Sequence, residues 1–154
     1  MSQLLTLFNL YKNPQGRIIS AILGMAVAFG IVYALGNTST LFMLSILLIF
    51  ITIFESGKLC KDDASKCDNI MLDNIAGVFM ALVFALSNTH LSSNREIIIA
   101  TIIALIAYIG MDRYKPSTIK WLRNNVKGAL GITLSSTLAG IAGGFVSILV
   151  MYAI

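Results

Sequence analysis

No charged residue occurs between Arg17 and Glu55. The stretch from Ile18 to Phe54 is broken only by Gly36-Asn37-Thr38-Ser39-Thr40. Turn-forming residues between two apolar runs mark a pair of membrane helices, because hydrocarbon solvates such a run and water does not. The whole chain agrees. Its 154 residues are 57% hydrophobic and 12% charged, whereas an ordinary soluble domain carries about 25% charged residues. So few charges cannot cover the apolar surface, which excludes a water-soluble globular domain. The 11 Lys and Arg against 7 Asp and Glu give a net charge of +4. These cations lie between apolar runs rather than along one polar face, so they point to an anionic membrane surface and away from nucleic acid.

The pattern predicts a single all-α integral membrane domain over 1–154, with five spans at 18–35, 40–55, 70–86, 96–111 and 128–152 and an interfacial segment at 112–127. The second and fourth apolar runs are shorter than the ~20 residues that cross a bilayer, so they must borrow flanking residues, thin the bilayer or sit inside a bundle. Cytoplasmic loops are enriched in Lys and Arg. Lys12 and Arg17, then Lys58, Lys61 and Lys66, then Arg113, Lys115, Lys120, Arg123 and Lys127 fall on one side of this topology, and Arg95 alone on the other. The N-terminus is therefore expected inside and the C-terminus outside. Residues 1–35 resemble a cleavable signal in outline, but the apolar core is longer than the 7–15 residues of a signal, so a first span is expected. Leu4, Leu5, Leu7, Phe8, Leu10 and Tyr11 are expected along the membrane surface before it.

Small residues recur at helical spacing in the last span. Gly131, Ser135, Ala139 and Gly143 form one stripe, and Ser136, Gly140 and Gly144 form its neighbour. Gly24 with Ala28, and Ala26 with Gly30, supply a second surface on the first span. Such stripes let helix backbones approach closely in lipid. Packing within one chain is expected ahead of homodimerisation.

Two carboxylates are placed where charge is expensive: Asp73 interrupts the third apolar run and Asp112 ends the fourth. From Asp112 to Lys127, five cations and Trp121 in sixteen residues fit an interfacial helix with Pro116 near its first turn. The segment reads equally as anchoring on anionic headgroups or as a phosphate-binding rim, with Arg113 and Lys115 beside Asp112. Cys60 and Cys67, near Asp62, Asp63 and Asp68, do not have a zinc-site spacing. His90, the one histidine, falls in the opposite loop and is expected to be solvated.

Asp112-x-x-Lys115-Pro116-x-x-Ile119-x-Trp121, followed by Asn125-Val126-x-Gly128-x-x-Gly131-Ile132 and Ala139-Gly140, resembles the C-terminal signature of the phosphatidylglycerophosphatase A family. Ile70-x-x-Asp73-Asn74-x-x-Gly77 is similar to the family's Asp-Glu motif, whereas its N-terminal Gly/Pro-rich motif is not clearly present, Pro14 and Gly16 alone resembling it. The resemblance implies a membrane lipid phosphatase of the bacterial inner (cytoplasmic) membrane. Such an enzyme uses Mg²⁺ to convert phosphatidylglycerophosphate to phosphatidylglycerol, with the site facing the cytoplasm. It implies metal or acid–base roles for Asp73 and Asp112, phosphate contacts for Lys115 with Arg113 beside it, and turns at Pro116, Gly128 and Gly131. Four family acids are replaced: Glu by Asn74, an interfacial Asp by Arg123, and paired Asp by Ser135 and Ser136. Ile109 stands where the family has Arg.

Paired Asp residues within a span are costly without a cation, so their exchange for Ser fits a chain that no longer holds metal. Two functions follow: the family's lipid phosphatase, or a catalytically degenerate pseudoenzyme that binds anionic lipid or a membrane partner. A small transporter or channel subunit is a weaker third, because transporters place polar groups near the bilayer midplane.

Overall fold

The computed structural model describes residues 15–62, 71–87 and 93–154. Among these residues there are six helices and no strand. They are α1 (Gly16–Leu35), α2 (Ser39–Asp62), α3 (Leu72–Leu86), α4 (Asn94–Tyr114), α5 (Ser117–Asn125) and α6 (Ala129–Ala153). Four of them, α1, α2, α4 and α6, are long and apolar enough to cross a membrane, and α3 is a shorter apolar helix. The expected surface segment before Arg17, with Lys12 and Pro14, lies outside the described residues, as do Lys66, Cys67, Ile70 and His90 and the side chain of Cys60.

Of the outcomes expected for the two short apolar runs, borrowing of flanking residues is the one observed. The second and fourth extend past their apolar runs to 24 and 21 residues. The extension of α2 is stabilised where it leaves the apolar run: Lys58 bonds Glu55 at 3.3 Å and lies 4.3 Å from the centre of the Phe54 ring. The short helix is α3, whose 15 residues rise only about 22 Å at 1.5 Å each, against a hydrocarbon core of ~30 Å. It tolerates that length because protein surrounds it. Residues from Asp73 to Leu86 are almost continuously buried, and α3 packs against α1, α2, α4 and α6.

The bundle is inverted relative to a soluble protein. On α1 the inner face is Ser20, Ala21, Gly24, Met25, Ala28 and Val32, while Ile22, Leu23 and Val27 are half exposed on the outer face. Large apolar groups outside and small or hydroxyl-bearing groups inside suit a lipid solvent, in which close backbone packing holds helices together. Both stripes of α6 are buried as expected. A Cβ on Gly77 would lie 2.5 Å from the Ser136 carbonyl oxygen, and one on Gly140 would run into the Gly77 carbonyl. The stripe predicted at Ala26 and Gly30 is instead exposed, and a Cβ on Gly30 would meet nothing within 4 Å. Only Gly24 and Ala28 of α1 face the bundle, Gly24 against Ile75.

Turns join these helices where the sequence permits left-handed backbone. Gly36 ends α1 at φ 65°, donating to the Val32 carbonyl at 2.8 Å. The expected single segment at 112–127 is divided. Asp112 and Arg113 belong to the last turn of α4, which Lys115 ends at φ 43°. Pro116 cannot continue the helical hydrogen bonding, so α5 starts anew after it. On α5 Ile119 is buried and Trp121 exposed, and Gly128 at φ 76° leads into α6.

Candidate functional site

Three helix ends meet at one end of the bundle: the start of α1 brings Arg17, the start of α3 brings Asp73 and Asn74, and the end of α4 brings Asp112. Asp73 is favourably placed against the N-terminal dipole of α3, whereas Arg17 at an N-terminus and Asp112 near a C-terminus are each unfavourably placed. Pairing Arg17 with Asp112 offsets both. The guanidinium makes a two-pronged bond, Nε to Asp112 Oδ2 at 3.2 Å and Nη2 to Asp112 Oδ1 at 3.1 Å. The same Nη2 stands 3.6 Å from Asp73 Oδ2.

Asn74 holds this cation in place. Its side-chain oxygen accepts from Arg17 Nη2 at 2.9 Å and from the Tyr108 hydroxyl at 3.0 Å. Its amide nitrogen donates to Ser20 Oγ at 3.0 Å and to the Arg17 carbonyl at 3.2 Å. Both faces of the amide are used, one as acceptor and one as donor. Ser136 donates its hydroxyl to Asp73 Oδ2 from the facing turn of α6. Asp73, Asn74, Tyr108 and Ser136 are buried, and the Arg17 side chain keeps 28% exposure toward the end of the bundle.

Around this core lies a rim of cations. Lys115 is half-buried where α4 breaks, within electrostatic reach of Arg123, Asp112, Arg17 and Asp73. Burial pushes its ammonium below the usual lysine range, the Arg123 cation pushes the same way, and Asp112 opposes them. Of the residues singled out from sequence, the structure therefore brings together Asp73, Asp112, Asn74, Ser136, Lys115 and Arg123. Two stay out. Arg113 is exposed on the last turn of α4, and Ser135 turns its hydroxyl back to the Ile132 carbonyl at 2.7 Å. Ile109, at the family's Arg position, is a partly buried apolar residue packed on the core.

The sequence reading missed Arg17, Tyr108 and Ser20 as members of the site. In the sequence Arg17 counts only as a cation of the N-terminal tail. One signal was available: two carboxylates at the ends of apolar runs require a cation, and Arg17 is the charge that begins the first run. Tyr108 lies four residues before Asp112, on the same helix face.

A helical membrane protein with an ionic cluster at one end of its bundle is the class that this fold and site define. The sequence profile of the phosphatidylglycerophosphatase A family matches residues 5–151, nearly the whole chain, and the protein belongs to that family. No curated protein and no solved structure matches it.

The family's enzymes are metal-dependent in general, so the donor set must be tested against a metal. Both oxygens of Asp112 are bound to Arg17, and Asp73 Oδ2 accepts from Ser136. That leaves Asp73 Oδ1 as the one carboxylate oxygen of the pair without a hydrogen-bond partner. Among the described residues no three His, Cys, Asp or Glu side chains come together. Mg²⁺ requires near-octahedral oxygen donors. The Arg17 guanidinium already stands between the two carboxylates, bonded to Asp112 and 3.6 Å from Asp73, so the residues as arranged do not fit it.

Proposed function

We propose that this phosphatidylglycerophosphatase A family protein binds the phosphate of phosphatidylglycerophosphate, or of a closely similar anionic phospholipid, at the Lys115 side of the cluster without Mg²⁺-dependent turnover. The observation that carries this reading is the charge balance of the site. Among the described residues Asp73 and Asp112 are outnumbered by Lys115 and the two other cations, Arg17 and Arg123, that lie within its electrostatic reach. Such a site attracts a phosphate by itself, whereas a site rich in acids needs a divalent cation to do so. The sorting of cations by loop supports a cytoplasmic-facing site in a bacterial inner membrane, and family membership supports the lipid class.

The second reading is the family's own reaction, Mg²⁺-dependent hydrolysis of phosphatidylglycerophosphate to phosphatidylglycerol, with Asp73 and Asp112 as the metal or acid–base groups. A specific observation favours it: these two retained acids come from different helices and converge on one cation.

One experiment separates the two. The full chain in detergent is given short-chain phosphatidylglycerophosphate, with binding and phosphate release both measured, with and without Mg²⁺. Binding without Mg²⁺ and no release above the protein-free rate are expected, with Lys115→Ala weakening binding by about 10-fold, the loss of one charge-assisted hydrogen bond. Mg²⁺-dependent release that Asp73→Asn abolishes establishes the phosphatase instead.

The same binding has a defined pH dependence. Only the protonated Lys115 ammonium attracts phosphate, and its pKa is lowered from 10.5. Affinity is therefore highest above the second phosphate pKa of about 6 and is lost as pH rises through the lowered lysine pKa. Lys115→Arg keeps the charge and removes this alkaline loss. A wild-type profile as flat as that of Lys115→Arg would exclude Lys115 as the phosphate contact.

A further inference from the structure

We infer that Arg17 is a built-in cation at the carboxylate pair where a divalent metal would sit, so that the site is complete without metal and becomes a divalent-cation site only when the Arg17 side chain is removed. Two buried or half-buried aspartates in a membrane bundle need a positive partner. Arg17 meets that need for both at once, bonding Asp112 through two nitrogens and facing Asp73 at 3.6 Å. A guanidinium is planar, permanently charged and weakly hydrated, and it suits this two-pronged geometry better than an ammonium.

The replaced family positions fit the same cation. Asn74 stands where the resemblance places Glu, and its amide works in both directions: the oxygen accepts from Arg17 while the nitrogen donates to the Arg17 carbonyl and to Ser20. A carboxylate at that position would have no donor for these two oxygens and would add a third negative charge around one guanidinium. Ser136 stands where the resemblance places Asp, and it donates to Asp73. A carboxylate there would repel Asp73. Asn74 and Ser136 are thus matched to a single positive charge fixed by the chain. Asp73 Oδ1, buried and without a hydrogen-bond partner, is the oxygen that a metal could gain once the guanidinium has gone.

The test compares the full-length wild type with Arg17→Ala and Arg17→Lys in detergent, following thermal unfolding in EDTA and in millimolar Mg²⁺ or Mn²⁺, and Mn²⁺ uptake by electron paramagnetic resonance. The wild type is expected to unfold at the same temperature with and without metal and to take up no Mn²⁺. Arg17→Ala is expected to lose about 10 °C in EDTA, the scale of a buried ion pair broken in a chain of this size. It should recover most of that loss with either metal and bind about one Mn²⁺ per chain. Arg17→Lys should be intermediate in stability and indifferent to metal. If Arg17→Ala does not accumulate in folded form, Arg17→Ala with Asp73→Asn and Asp112→Asn should restore accumulation without metal, because uncompensated carboxylates are then the defect. Mn²⁺ uptake by the wild type that Asp73→Asn abolishes would overturn the assignment. So would a folded Arg17→Ala that ignores metal, or a variant with both carboxylates neutralised that fails to restore folding. Lipid binding is absent from these readouts, so a failure here is distinct from a failure of the phosphate-binding reading.

Discussion

Gly140→Val is expected to leave little folded protein after extraction into detergent. The contact between α3 and α6 is made at backbone distance, with the Gly77 carbonyl occupying the space that any side chain at position 140 would need. Nothing flexible is there to move aside. A branched side chain must push the two helices apart, and Gly77 is fixed from its other neighbours too, since its own added Cβ would meet the Ser136 carbonyl at 2.5 Å and the Tyr108 ring at 2.9 Å. Overpacking in a fitted core costs about 1–3 kcal/mol when side chains can adjust, and this contact is between backbones, so the cost lies at or above that range. The same separation pulls Asp73 away from Ser136, so the ionic cluster opens with the helix pair. Size-exclusion profiles and thermal unfolding in detergent check this. Gly30→Ala is the control: with nothing within 4 Å of its added Cβ, it should be neutral or stabilise by up to about 1 kcal/mol through reduced backbone entropy. A Gly140→Val chain as stable as that control would show that the α3–α6 contact is not required.

That contrast between Gly140 and Gly30 marks the reach of the sequence. Both sit in small-residue stripes at helical spacing, and only the first stripe faces protein. Periodicity identifies a face but not what lies against it, and in lipid an outward-facing small residue costs little. The spans were legible because hydropathy is a local property. The length of α2 was less so, since Glu55 and Lys58 end an apolar run without ending a helix, pairing with each other on its surface instead. Asp73 and Asp112 were legible as costly charges. Arg17 was not legible as their partner. It lies 95 residues from Asp112 and 57 from Asn74, and in a one-dimensional count it serves equally well as a topological anchor. Asn74 and Ser136 appeared from the family resemblance as losses. In three dimensions both are hydrogen-bonded members of the cluster that Arg17 completes, so the replaced residues have a positive structural role.

Restoring the acids therefore has to be done together with removal of Arg17. The variant carrying Asn74→Glu, Ser135→Asp, Ser136→Asp and Arg17→Ala is expected to be unstable in EDTA, to be rescued by Mg²⁺, and to release phosphate from phosphatidylglycerophosphate about 100-fold faster than the wild type, the lower end of what positioned acid–base groups contribute. The instability follows from the bilayer and from repulsion: an added carboxylate inside a span is costly, up to about 2.5–3.5 kcal/mol at its centre and less toward its end, and carboxylates at 74 and 136 repel Asp73 as well. The same three acids with Arg17 retained should show neither the metal rescue nor the activity, because the guanidinium still holds both oxygens of Asp112. The four-residue variant thus separates two explanations of an inactive wild type. If missing acids alone were the cause, restoring them would suffice whether or not Arg17 stayed. If the resident cation is also a cause, activity appears only when Arg17 leaves. Equal Mg²⁺-dependent rates in the wild type and in the restored variant would show instead that Asp73 and Asp112 suffice for the chemistry, and that Arg17 yields its place to the metal during turnover.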